Sequence, residues 1–310
     1  MSDSPTVVPA DSLRLLVDGL VDYAGLFPPA KLPMDRAVAN YASYRASDDA
    51  WMLGRFIVPV SRLGEFEKAA ASHLPRDRDA EPWTISALVG PDADADIEAI
   101  FNFNRAHAED PANGLAVIDS IELKREDPFE IDRLMKLIPE QLTPYFELPA
   151  SGENRPAITA LAGTGGRAKI RCGGVTPDLF PSAEDVARFI IRCSSADVAL
   201  KATAGLHHPI RAEHALTYED DAPRGVMHGF LNVFLCAAFV RRARLEEADA
   251  VRGRMETDAT AFRFGPEGVR WDGKSLDNAR LAGVRESFAI GYGSCSFTEP
   301  TDDLRTLGLL

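Results

Sequence analysis

The chain has 310 residues, 45% of them hydrophobic and 26% charged, and a net charge of −13. That balance excludes an intrinsically disordered chain, and the acidic excess with no Lys/Arg-rich run excludes binding to nucleic acid or an anionic membrane through bulk electrostatics. Cys172, Cys193, Cys236 and Cys295 lie far apart with no C-x-x-C pair. This fits neither a disulfide framework nor a zinc site, so a reducing cytoplasm is the expected home.

The opening "MSDSPTVVPADSLRLL" has no positive segment leading into an apolar one, so no secretory leader is expected. A first strand is expected in "VDYAGLF" (21–27), then a helix over 33–46 and a strand in "GRFIVPV" (54–60). A helix over 61–74 leads to "TISALVG" (84–90), and one over 92–108 to "LAVIDSIEL" (115–123). Helix 127–140 precedes "TPYFELP" (143–149), helix 154–163 precedes "AKIRC" (168–172), and helix 182–194 precedes "ALKATA" (199–204). Ser182, three residues before Asp185, makes an approximate capping box for the last of these helices.

Beyond that point the rhythm loosens. A longer helix is expected over 226–248, and its "GFLNVFLCAAFV" (229–240) is too short to span a membrane, so it reads as a buried core helix. A hairpin is expected at 260–273, a last strand in "SFAIGYG" (287–293) and a closing helix in "TDDLRTLGLL". Strands alternating with helices at about 30-residue spacing mark βαβ units and a parallel sheet. Eight of them imply an α/β fold, a (β/α)₈ TIM-type barrel forming a single domain over 1–310, with 249–274 as an insertion carrying a hairpin before the last strand.

Charged residues interrupt the expected strands. Side chains alternate along a strand, so Lys169 and Arg171 share one face of "AKIRC", and Lys201 and Thr203 share one face of "VALKATA". The outward face of a barrel strand is covered by helices, so the charged set must point inward, near the carboxyl-terminal mouth. The same parity groups Glu122 with Lys124, Glu147 with Tyr145, and Arg55 with Ile57. Buried Lys, Arg and Glu are costly unless paired, which makes this ring a candidate site. Two neighbouring lysines favour a neutral amine at one of them, and a nearby glutamate can shuttle protons. Arg55 and Arg171 are the candidate clamps for a substrate anion.

A strand-six lysine followed by glycines ("AKIRCGG"), a strand-seven lysine before a small-residue turn ("KATAGL") and a last strand ending "GYGSCS" together resemble the class I aldolase barrels of the deoxyribose-phosphate aldolase kind. The resemblance covers the second half of the barrel. It implies that Lys169 forms a Schiff base, that Lys201 lowers its pKa, and that Gly205, Gly293 and Ser294 belong to phosphate-holding turns. The sequence departs from the family pattern after Lys169, where Ile170, Arg171 and Cys172 stand in place of hydroxyl-bearing residues, and at "LHHP", where a glycine and a basic residue are usual.

His207 and His208 lie in the loop after Lys201 and are candidates for substrate contact or acid–base work. Glu299, Asp302 and Asp303 crowd the start of the closing helix and oppose an anion there, while Cys172 and Cys295 read as small packing residues. The expected activity is that of a lyase acting on a small anionic carbonyl compound, with no cofactor. Two alternatives remain open: a metal-dependent barrel lyase or isomerase using Glu122, Glu147 and a histidine around a divalent ion, and a non-catalytic barrel that binds an anionic metabolite. Assembly into a homo-oligomer is compatible with all three.

Overall fold

The computed structural model describes residues 10–310; the first nine residues, part of the stretch read for a leader, lie outside them. A short helix, α1 (Asp11–Val17), precedes β1 (Val21–Tyr23), which is followed by α2 (Met34–Arg45), β2 (Leu53–Pro59), α3 (Leu63–Ala70), β3 (Trp83–Val89) and α4 (Ala93–Glu109). The alternation continues through β4 (Ala116–Leu123), α5 (Pro128–Met135), β5 (Thr143–Leu148), α6 (Arg155–Leu161), β6 (Arg167–Arg171), α7 (Ala183–Ser195) and β7 (Leu200–Thr203). Next come a hairpin of β8 (Ala212–Ala215) and β9 (Arg224–Met227), then α8 (Phe230–Ala243) and α9 (Glu247–Met255). A three-stranded sheet of β10 (Arg263–Phe264), β11 (Gly268–Trp271) and β12 (Lys274–Asp277) leads to α10 (Asn278–Ser287), β13 (Ala289–Ser294) and α11 (Thr298–Thr306).

Eight parallel strands close into a barrel in the order β1-β13-β7-β6-β5-β4-β3-β2, the expected (β/α)₈ architecture. Local chemistry explains the helix starts. The Ser182 hydroxyl accepts the Asp185 N–H at 3.0 Å, Asp127 caps α5 by accepting the Glu130 N–H at 2.9 Å, and Asp277 caps α10 by accepting the Arg280 N–H at 2.8 Å. Along α7 the buried Val186, Ala187, Phe189, Ile190 and Cys193 recur at helical spacing against the barrel. On β6 the outward residues Ala168 and Ile170 are wholly buried beneath the helices, which sends Lys169 and Arg171 inward.

The apolar run of 229–240 is indeed a core helix: every residue of α8 from Phe230 to Val240 is buried. Among the described residues no helix is long and apolar enough to cross a membrane. The single helix expected over 226–248 is three elements instead. Val226 belongs to the β8–β9 hairpin, and α8 ends where Arg244 adopts a left-handed conformation. The expected first strand stops at Tyr23, because the chain turns away over Gly25.

The insertion expected to carry a hairpin holds a three-stranded antiparallel sheet on the barrel's flank. Its Trp271 packs on Phe239 of α8, and the backbone of Gly265 exchanges hydrogen bonds with Ser12 of α1. The mouth is covered by the β8–β9 hairpin, which places Leu216 and Met227 in the wall of the central cavity.

Because α8 is buried on all sides, truncation there is costly. Replacing Phe234, which packs beside Tyr292, with Ala is expected to lower stability by about 3–5 kcal/mol in urea titration, whereas Phe129→Ala, at an exposed position, should change it by less than about 0.5 kcal/mol.

Candidate active site

The inward residues of the strands build a chain of alternating charge. Lys169 Nζ lies 2.7 Å from Glu122 Oε2 and 2.8 Å from Glu147 Oε2. Lys201 Nζ lies 2.7 Å from Glu122 Oε1 and 2.6 Å from Asp22 Oδ2. At the outer end Arg171 Nε approaches Glu147 Oε1 at 3.6 Å. The sequence Asp22, Lys201, Glu122, Lys169, Glu147, Arg171 therefore alternates minus and plus across strands β1, β7, β4, β6 and β5.

Strand register produces this alignment: Lys169 stands opposite both Glu147 and Lys201, and Glu122 opposite Tyr145. Glu122 is also held by Ser86, whose hydroxyl donates to Oε1 at 2.9 Å and accepts from Ser120 at 2.8 Å. Asp22 Oδ1 accepts the Arg55 N–H at 2.7 Å, an approach possible only because residue 54 is glycine: a Cβ there would lie 2.3 Å from that oxygen. The Lys201 ammonium also sits over the Tyr145 ring at 5.1 Å.

At Glu122, Lys201 and Glu147 burial opposes the charge, and the partners outweigh it. Glu122 is desolvated, yet Lys169 and Lys201 hold its carboxyl well below the usual carboxylate range. Burial likewise works against the Lys201 ammonium, but Asp22 and Glu122 raise its pKa above the ordinary lysine value. Glu147, also partly desolvated, is held below its usual value chiefly by Lys169.

Exposure falls in one direction along this chain. The Arg171 side chain is 51% exposed at the rim, Lys169 is 5% exposed and Lys201 2%. A cavity of about 290 Å³ opens above them, bordered by Glu122, Glu147, Lys169 and Arg171 and by apolar residues such as Phe27, Ile57, Leu88 and Met227. Lys169 borders that cavity; Lys201 lies beneath its floor. Broader grooves of about 680 and 440 Å³ run along the β10–β12 sheet, but their walls are turn and strand residues without a convergent buried ionisable set.

Several expected site residues are elsewhere. Arg55 is no clamp at the mouth: its Nε and Nη2 each lie 2.6 Å from the Asp119 carboxylate, toward the amino-terminal end of the barrel strands, where both side chains are partly exposed. It is near the start of β2, and a register slip between Ile118 and Ser120 accompanies the Asp119 contact. Lys124 lies past the end of β4, exposed and away from the cavity wall. His208 faces outward, with Nδ1 2.5 Å from Asp303 Oδ2 and its ring stacked 3.4 Å from that of His214. Ser294 is buried behind the wall.

Gly205 and Gly293 do border the cavity, but as room-makers. A Cβ on Gly293 would meet Ile57 and Thr203 at 3.1 Å, and Gly205, at φ +66°, lets the turn after β7 approach Gly173. The start of α11 is occupied by its own residues: the Glu299 N–H donates to Ser296 Oγ at 3.2 Å, and the Glu299 carboxylate pairs with His207. Among the described residues no cluster of three or more His, Cys, Asp or Glu side chains is arranged to hold a metal ion.

Sequence reasoning missed Asp22, Ser86 and the group around Cys295. An acid inside the apolar "LVDYAG" was a usable signal for Asp22. His207, placed as a mouth residue, borders the cavity and sends Nδ1 to Glu299 Oε2 at 2.7 Å. Burial opposes its charge, but its contacts with Cys295 and Glu299 lift its pKa to about 10.

Removing the central anion leaves two buried cations short of a partner, so Glu122→Gln is expected to cost about 3–5 kcal/mol at neutral pH. Because the Glu122 pKa is depressed in the folded state, its contribution is present above the unfolded value of about 4.3 and lost as pH falls; the variant's stability should therefore decline less steeply in acid urea titrations. His207 has the opposite sign. Its raised pKa contributes stability fully present below about 6.5 and lost as pH rises through about 10, a dependence that His207→Asn should remove.

Searches of protein-family models, curated proteins and solved structures find no match to this chain.

Proposed function

We propose that this barrel is a class I aldolase-like lyase that forms a Schiff base between Lys169 and a small anionic carbonyl compound. The observation that carries the reading is the position of Lys169: it is the amine that borders the mouth cavity, while Lys201 is sealed below it, both tied to Glu122. Four free, buried cysteines suit a reducing cytoplasm as its place of work.

In this reaction Arg171, the exposed cation of the rim, receives the substrate anion. Glu147 takes a proton from Lys169 across 2.8 Å, and the freed amine attacks the carbonyl carbon. The same carboxyl gives that proton to the carbinolamine oxygen, takes a second from the nitrogen and passes it to the resulting hydroxyl, which leaves as water and yields an iminium ion paired with Glu122. The bond between the carbon beside the iminium and the hydroxyl-bearing carbon then breaks. Its electron pair enters the enamine, the hydroxyl proton goes to Glu147, and an aldehyde departs. Protonation of the enamine carbon and hydrolysis regenerate the lysine. Lys201 remains a fixed cation that offsets Glu122, so Glu122 cannot neutralise Lys169 alone. Both Glu122 oxygens already face ammonium groups, leaving the mobile proton to Glu147.

A second reading rests on Lys169 donating to two carboxylates at once. Held as an ammonium, it would act as a general acid that stabilises an enolate, with no covalent intermediate.

Borohydride reduction in the presence of a panel of short aldehydes, ketones and 2-oxo acids separates the two. A single adduct by intact mass, mapped to Lys169 and absent in Lys169→Met, is the expected result; turnover of a compound with no trapped adduct would favour the general-acid reading. With a reacting compound in hand, Glu147→Gln should lower kcat by about 10²–10⁴-fold, and Arg171→Ala should raise KM more than it lowers kcat.

A further inference from the structure

A separate set of titratable side chains meets at the edge of the same cavity. Cys295, just past β13, borders it together with His207. The Cys295 Sγ lies 3.9 Å from His207 Nε2 and 3.7 Å from the Tyr218 hydroxyl. His207 Nδ1 is held by Glu299 Oε2 at 2.7 Å, and Tyr218 donates to the same oxygen at 3.0 Å. This is the arrangement of a nucleophile, a base and a group that orients the base. Tyr23 of β1 and Tyr44 of α2 lie near enough to interact electrostatically with the thiol.

The surroundings single out this cysteine. Cys172 and Cys236 are enclosed, and burial pushes their thiols up to about 11 and about 12; Cys193 is likewise enclosed and raised. None of the three borders the cavity. Cys295 faces an imidazole whose protonated form is favoured by the Glu299 carboxylate, and an adjacent imidazolium is what stabilises a thiolate at neutral pH. Glu299 crowding the start of α11, an obstacle to a phosphate, is what an imidazolium requires.

We propose that Cys295 is the nucleophilic thiol of the cavity, poised with His207 as a thiolate–imidazolium pair for reversible addition to the carbonyl carbon of a short aldehyde. In the step, a bond forms from Sγ to the carbonyl carbon and the C=O π pair moves to oxygen. That oxygen takes the Nε2 proton of His207, leaving a thiohemiacetal and a neutral imidazole; reversal releases the aldehyde. No oxidant is needed. The inference does not require an amine adduct at Lys169.

Alkylation of the native chain by iodoacetamide, followed by intact mass and peptide mapping across pH 5.5 to 9, tests it. The expected result is one fast alkylation at Cys295 with a rate nearly flat between pH 6 and 8. In His207→Asn the rate at pH 6.5 should fall about tenfold and climb with pH as for an ordinary thiol. Propanal should slow the alkylation in both wild type and Lys169→Met, which separates thiol addition from any Schiff base. An ordinary-thiol pH profile in the wild type overturns the ion pair whether or not the variant folds. So does an unchanged rate in His207→Asn. Absence of propanal protection in Lys169→Met overturns the carbonyl addition.

Discussion

The bridging of two ammonium groups by one carboxylate, Glu122, is the interaction on which the rest of the barrel interior depends. Two lysines cannot sit side by side on adjacent strands in a desolvated barrel without an anion between them. Glu122 supplies it from β4, across the barrel, with one oxygen for each lysine. Asp22 and Glu147 then balance the outer side of each lysine, and the Ser86–Ser120 pair satisfies the remaining demand of Glu122. Each member is fixed because its neighbour on either side needs it. Such a network preorganises the site, since moving one side chain leaves a buried charge unmatched.

The barrel geometry makes that arrangement possible. Parallel register brings residues from distant parts of the chain to a common level, so an acid on β1, one on β4 and one on β5 can alternate with bases on β6 and β7. Small residues clear the way: Gly54 allows Asp22 to reach its backbone donor, and Gly293 leaves space that becomes the cavity. The largely buried α8 anchors the far side through Tyr292, whose ring stacks on Phe230 at 5.5 Å. Its role is to hold β13, and with it Cys295, in place.

Alternation made the fold legible in the sequence, because eight apolar runs between helical segments are hard to arrange otherwise. It also made the facing of Lys169, Lys201, Glu122 and Glu147 legible, since parity gives the side of a strand on which a residue lies. Parity does not give the level along the barrel axis. That is why Arg55, on the correct face, was expected at the mouth and instead pairs with Asp119 toward the amino-terminal end of the strands. Lys124 failed for the complementary reason: the strand ends before it, so parity no longer applies. Asp22 escaped because its strand is only three residues long, and the Cys295 group because its members come from three separate loops and a helix start, with no spacing to betray them. The end of β9, at Val226 and Met227, was absorbed into a helix because the apolar run of α8 lies directly beside it.

The gradient of exposure along the charge chain gives the site a direction. Lys201 is locked between two short contacts, whereas Glu147 is held tightly by Lys169 and only loosely by Arg171, at 3.6 Å. In the proposed reaction an anion arriving at the rim meets Arg171 first. Pairing with it withdraws positive charge from Glu147, which raises the basicity of that carboxylate at the moment a carbonyl reaches Lys169. Binding and deprotonation are then coupled through one side chain, and the resting network protects the amine until substrate is present. A neutral carbonyl compound lacks that trigger, so the anionic group of the substrate serves activation as much as affinity.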